Sequence, residues 1–212
     1  LAGCAPQQRV SQQKYDALDA EYQQLNQRMS AEVAANQMQI TRLQNAIKVT
    51  VNSELLFPSG GWQMPVEAQQ TFGKIIPILA PKQQNKIMVN GYTDNVPIGP
   101  GLMREGITSN LVLSQKRADN VMQFMISRGV NPSLVSAQGF GEKDPVASNG
   151  TPEGQAKNRR VELTVAGSGN WNQAALAGRR EQPSIRPHRS KRPPPKLAQT
   201  LHLVTHATEG VL

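Results

Sequence analysis

The sequence predicts an α+β fold, with two main helices on one face of a mixed sheet and a long helix ahead of them. Three observations point there. Between Lys48 and Val165, segments of period-two alternation exchange with segments of helical period in the order β-α-β-α-β, with a closing β. From Ser11 to Ile47 there is neither proline nor glycine. Beyond Gly167-Ser168-Gly169 the composition shifts to Pro, Arg and His. These shifts divide the chain into a terminal segment 1–10, a helical spacer 11–47, a folded domain 48–167 and a basic, proline-rich tail 168–212.

In the spacer, apolar residues recur at Tyr15, Leu18, Tyr22, Leu25, Met29, Val33, Ile40, Leu43 and Ile47, with Asn36 on the same seam. Steps of three and four describe either a coiled coil, giving a dimer or trimer through residues 11–47, or one amphipathic helix folded onto the domain. A continuous helix here would span on the order of 50 Å. Lys48 to Phe57 alternates as a first strand ending at Pro58-Ser59-Gly60-Gly61. Pro65 suits the first turn of a helix through Phe72 and Leu79, which Pro77 shortens or kinks. Lys86 to Thr93 is the second strand, closed by Asp94 and Asn95. The connection from Val96 to Gly106 has no assigned structure. Thr108 or Ser109 caps the next helix, which stops at Gly129. Leu134 to Gly139 is the third strand, Thr151 to Gly154 a helical turn, and Val161 to Val165 the last strand.

Composition narrows the function. Of the formal net charge of +8, the last 42 residues hold seven basic and two acidic side chains, which leaves the body near neutrality. Nucleic acid is therefore not the expected partner of the folded part. The tail suits an acidic lipid or anionic glycan, or acts as a polyproline ligand, or is an appended extension with no role. One cysteine excludes an internal disulfide and a Cys-rich metal site. Leu1-Ala2-Gly3-Cys4 has the pattern of a bacterial lipobox, in which the thiol accepts a diacylglyceryl group; the other reading is a free thiol. The lipobox reading expects a signal segment before Leu1 and a membrane link made by acyl chains such as palmitate.

Within the second helix Asn110, Ser114 and Arg117 are spaced four and three apart and share one face. Asp94 stands at a strand end, so one acid and one base on separate elements can grip a zwitterion. On position alone Asp94 is also a turn-capping residue and Arg117 a solvated helix residue. The blocks G-Y-T-D, N-x-x-L-S-x-x-R-A, G-F-G-E-K-D-P, N-G-T-P-E-G and N-R-R-V-E-L, in that order, resemble the OmpA/MotB-type peptidoglycan-binding domain over roughly Thr50 to Val165. Tyr92 stands where the family usually has histidine, and the loop after Asp94 is longer than in its shortest members.

The resemblance implies non-covalent binding of the diaminopimelate residue of the peptidoglycan stem peptide, with Asp94 receiving the ammonium and Arg117 the carboxylate. It adds Asn110, Thr93, Phe57 and Ser59 as lining groups. Of Asn158, Arg159 and Arg160, it keeps Arg160 as a site residue, although such arginines chiefly brace the sheet edge. Two charge-assisted hydrogen bonds, each worth roughly 1.5–3 kcal/mol, give about micromolar affinity or weaker. No cofactor is implied. The body has no histidine, paired acid or nucleophile at a motif-defined position, and Gly60-Gly61 lacks the lysine of a phosphate-binding loop, so no enzyme is expected. The whole then describes an outer-membrane lipoprotein, anchored through Cys4 and facing the periplasm, that ties envelope to wall. The alternatives are an accessory of a flagellar motor or secretion system, and an interaction module acting through residues 11–47.

Overall fold

Helical spacing and strand pairing compete for the residues between Gln37 and Ile47, and pairing wins. The computed structural model describes residues 5–79 and 85–166; Cys4 and the tail 168–212 lie outside the described residues. Helix α1 spans Ala5–Arg28 and α2 Ser30–Ala34, after which Asn36 takes a left-handed φ of 55° and turns the chain into strand β1, Met38–Leu43. Asparagine tolerates that conformation better than most residues. Two residues then lead to β2, Ala46–Asn52, and Met38 and Ile40 pair with Val51 and Val49. The apolar residues from 38 to 47 satisfy a helical period, yet β-branched partners across a hairpin settle the segment as sheet.

The long spacer expected over 11–47 is corrected accordingly. Its helix ends at Ala34, its last part is an edge hairpin, and the domain boundary at 48 falls inside β2. The seam is also occupied. Leu18, Leu25 and Met29 are buried in the main core with Tyr22 packed beside them, so the face assigned to a partner copy covers this chain's own sheet.

The remaining elements are α3 (Ser53–Leu56), α4 (Val66–Gly73), α5 (Ile76–Leu79), β3 (Ile87–Gly91), α6 (Pro100–Arg104), α7 (Asn110–Ser127), β4 (Val135–Gly139), α8 (Pro152–Asn158) and β5 (Arg160–Ala166). The first strand is shorter than expected because Asn52 accepts a hydrogen bond from the Glu54 N–H and starts α3. Pro65 sits at the N-cap of α4 and Pro77 in the first turn of α5, so one expected helix is two short ones. Ser109 caps α7 by accepting from Val112 N–H, and Gly129 ends it with φ of 99°. The unassigned connection contains α6.

The sheet order is β1-β2-β5-β3-β4, with β3 and β4 parallel and the other pairs antiparallel. Its register lines up Ile47, Val165, Ile87 and Val135 across four strands, and Val49, Leu163, Val89 and Ala137 in the next row. This face meets Phe72 of α4, Ile75 between α4 and α5, and Val121, Phe124 and Met125 of α7 in one core. The α+β class, with helices on a mixed sheet, is as the sequence predicts.

The third row ends in Gly91 and Gly139, and both are required there. A Cβ on Gly91 would lie 2.2 Å from the Ser114 carbonyl oxygen, and one on Gly139 2.4 Å from the Gln115 nitrogen. The first turns of α7 thus rest directly on the ends of β3 and β4. Ser114, fully buried, bonds the Leu111 carbonyl and accepts from Gly141 N–H, while the Gln115 side chain accepts from Gly139 N–H. Gly91→Ala must lift the helix against backbone. We expect a loss of about 3 kcal/mol in urea unfolding, the upper end for overpacking; a loss under about 0.5 kcal/mol would show that the contact is soft.

Candidate functional site

A cleft of about 670 Å³ opens where the end of β3, α3, α7 and α8 converge. Its lining includes Asp94, Arg117, Asn110, Thr93, Phe57 and Ser59, six of the seven expected from sequence, together with Ser53, Glu54, Gln155, Arg159 and the segment Val96 to Gly99 with Leu102. Arg160 is absent from it.

Asp94 is buried three residues beyond Gly91. One carboxylate oxygen accepts from Val96 N–H at 3.2 Å, the turn-capping role open to it on position alone. The other accepts from Arg159 Nη1 at 2.7 Å, and Arg159 Nη2 reaches Glu54 at 2.7 Å. Two oxygens carry about four acceptor positions, so the carboxylate retains capacity for a ligand's ammonium.

Arg117 lies three residues beyond Ser114, 5% exposed. Its Nε donates to the Gly61 carbonyl at 2.9 Å, and its guanidinium stands 5.3 Å from the Phe57 ring centre. Among the described residues its terminal nitrogens make no hydrogen bond and no carboxylate is ion-paired with it. Burial, and then repulsion from Arg159, push it down to about 10 against the attraction of Asp94. It remains cationic at neutral pH. Arg159 goes the other way: burial opposes its charge, but hydrogen bonds to Glu54 and Asp94 outweigh burial and raise it. Of the two guanidinium groups, one is ion-paired with protein carboxylates and the other, among the described residues, keeps its terminal nitrogens uncommitted.

Asn110 Nδ2 is shared among the carbonyls of Asp94 and Val96 and the Glu142 carboxylate, at 3.1 to 3.3 Å. It ties the loop after Asp94 to α7 and leaves its own carbonyl oxygen as the remaining polar atom. Phe57 is buried beneath Arg117, and Ser59 is exposed at the rim. Thr93 and Ser53 are buried beside the cleft, each with a hydroxyl that has no hydrogen-bond partner. Such orphans are uncommon in native interiors and gather where a ligand or water completes them.

The place expected for Arg160 is held by Arg159. Arg160 bonds Glu162 at 2.7 Å and the carbonyls of Asn158 and Asp144, with its guanidinium 3.8 Å over Tyr92, which stacks on Phe140. It braces the sheet. Strand parity carries the missed signal: Val161, Leu163 and Val165 face the helices, and Arg159 continues that odd series whereas Arg160 falls with Glu162. Asn158, fully buried, bonds Val146, Ala147 and Asn149 and fixes the turn from which Arg159 projects.

Residues 56–159 match the OmpA family. The chain is 35% identical over 123 residues to a protein named peptidoglycan-binding protein ArfA from Mycobacterium tuberculosis, a match over 58% of this chain and 35% of the relative. It is 33% identical over 127 residues to the probable lipoprotein YiaD of Escherichia coli, over 60% and 54% of the two chains. The chain therefore spans about a third and about half of these relatives. A solved structure, the cell wall anchor of the T6SS from Pseudomonas aeruginosa, superposes with a TM-score of 0.61 at 30% identity, covering 68% of this chain and 97% of that one.

A lowered Arg117 sets a sign for stability. Its charge opposes folding fully below about pH 10, and the opposition fades as pH rises from there toward the ordinary arginine range. At neutral pH Arg117→Met removes that opposition, and we expect it to be neutral or stabilising by about 1 kcal/mol in thermal unfolding. A marked drop in melting temperature would assign Arg117 to structure.

Proposed function

The chain belongs to the OmpA family, and we propose that it binds peptidoglycan without catalysis, through the diaminopimelate residue of the stem peptide. The observation that carries this reading is the pairing, in one cleft, of the Asp94 carboxylate with a buried Arg117 guanidinium whose terminal nitrogens are uncommitted. A head group with a free ammonium and a free carboxylate supplies both missing charges. Asp94 takes the ammonium and Arg117 the carboxylate, in the bidentate geometry that guanidinium favours. Arg159, held by Asp94 and Glu54, keeps the Asp94 carboxylate oriented. The orphan hydroxyls of Ser53 and Thr93 are further donors and acceptors for the ligand. Arg160 has only a bracing role.

The Leu1-Ala2-Gly3-Cys4 pattern and the similarity to a probable lipoprotein support anchoring by acyl chains on Cys4 in the outer membrane, with the domain facing the periplasm. A second reading is favoured by the likeness to the T6SS cell wall anchor: the same domain fastening a larger envelope machine to the wall. Both use the same cleft.

In calorimetric titration with a diaminopimelate-containing stem peptide, Asp94→Ala and Arg117→Ala should each weaken binding about 10- to 100-fold, the worth of one hydrogen bond to a charged group. Unchanged binding in both would reject the assigned roles. Cys4→Ser should move the protein from the membrane to the soluble fraction of cells; continued retention would argue against the lipid.

A further inference from the structure

The cleft is larger than its ionic cluster requires. Its 670 Å³ falls in the range of roughly 300–1,000 Å³ that encloses most of a drug-sized molecule, well beyond one amino-acid head. The charged groups occupy one part of the lining. The other part is apolar, made by Val96, Pro97, Ile98 and Leu102 of the connection and by Leu113 of α7. Leu113 is four residues before Arg117, about 6 Å along the helix axis. In a stem peptide that head is the far end of the diaminopimelate side chain, so the backbone, and with it the residue that follows, stands off from Arg117 by the length of that side chain, on the scale of the single helical turn that separates Arg117 from Leu113.

The wall is pre-built. Ile98, Ile107 and Leu113 form a small core apart from the main one, with Trp62, Leu102 and Val112 packed on it. Trp62 Nε1 donates to Glu105 at 3.2 Å, and Lys116 Nζ lies 4.6 Å over the indole. These contacts hold the connection against α7, so a ligand meeting it orders little. Val96, lining the same cleft, is 48% exposed, an apolar side chain left in water beside a ligand cavity.

We propose that this wall is a second subsite, which takes a small aliphatic side chain, such as the methyl group of an alanine, on the residue that follows diaminopimelate in the peptide. The inference rests on the head-group reading above and adds selection for the neighbouring residue. Val96, Ile98, Leu102 and Leu113 offer no partner to a charge, so a charged neighbour would be desolvated without compensation. Glycine in that place gains nothing.

The test uses the full chain and two synthetic stem peptides that carry diaminopimelate and differ only in having alanine or glycine after it. In calorimetry the alanine peptide should bind about fourfold tighter, the effect of burying one methyl group. Val96→Ser and Leu102→Ser should each bring the ratio of the two peptides' Kd values toward one, whatever they do to either Kd alone. Leu102 also packs in the small core, so Val96→Ser, at an exposed side chain, separates ligand contact from loop integrity. Equal affinities in the parent protein, or a ratio that survives both substitutions, would overturn the subsite. If neither peptide binds, the head-group reading itself falls.

Discussion

The site depends on one close approach, backbone against backbone, where α7 lies on the glycine ends of β3 and β4. Gly91 and Gly139 leave no room for a side chain, and the gap they create is filled by the Ser114 carbonyl and the Gln115 nitrogen. From those contact points the chain runs three residues outward on each side, to Asp94 beyond the strand and Arg117 along the helix. Their mutual placement is thus inherited from main-chain packing, which is stiffer than side-chain contact. Ser114 belongs to this contact. It shares a helix face with Arg117, but its hydroxyl joins α7 to Gly141 and does not line the cleft.

Charge in the cleft is nearly balanced and unevenly distributed. Arg159 is gripped by Glu54 and Asp94 at 2.7 Å each, whereas Arg117, among the described residues, has a carbonyl at its Nε as its one hydrogen-bond partner. If Asp94 were closed against Arg117, the two would satisfy each other and an incoming zwitterion would have to break the pair. Directing Asp94 to Arg159 avoids that competition. It leaves a buried cation that opposes folding and favours an anion, the usual direction of compromise at binding sites.

The cluster Gly91 to Asp94 and the spacing Asn110, Ser114, Arg117 were legible because each is a local pattern: a strand end, and one face of one helix. The paired arginines were less so. Arg159 and Arg160 are chemically identical, and only the parity of β5, with Val161 facing the helices, sends the first into the cleft and the second over Tyr92. The same difficulty blurred residues 38 to 47, where Ile40, Leu43 and Ile47 fit a helical period as well as a hairpin. Local spacing does not contain the cross-strand partners Val49 and Val51 that decide between them. Glu54 and Ser53 were hidden for another reason, since both were placed in a strand that Asn52 ends.

The N-terminal helix shows what that tertiary decision changes. As a free spacer, residues 11–47 would have held the domain on the order of 50 Å from any anchor. Instead Leu18, Leu25 and Met29 are buried against the sheet, and the Tyr15 hydroxyl donates to Asn45 of the hairpin at 3.3 Å. Helix α1 begins at Ala5, roughly 15 Å of helix before Tyr15. A lipid on Cys4 would then hold the domain close to the bilayer surface. In the proposed role the wall must come to the domain, or the domain must sit where wall and membrane already lie close. Should the Asp94–Arg117 cleft bind wall peptide as proposed, modest single-site affinity suits that geometry, because a tether of restricted reach keeps the local concentration of wall peptide high.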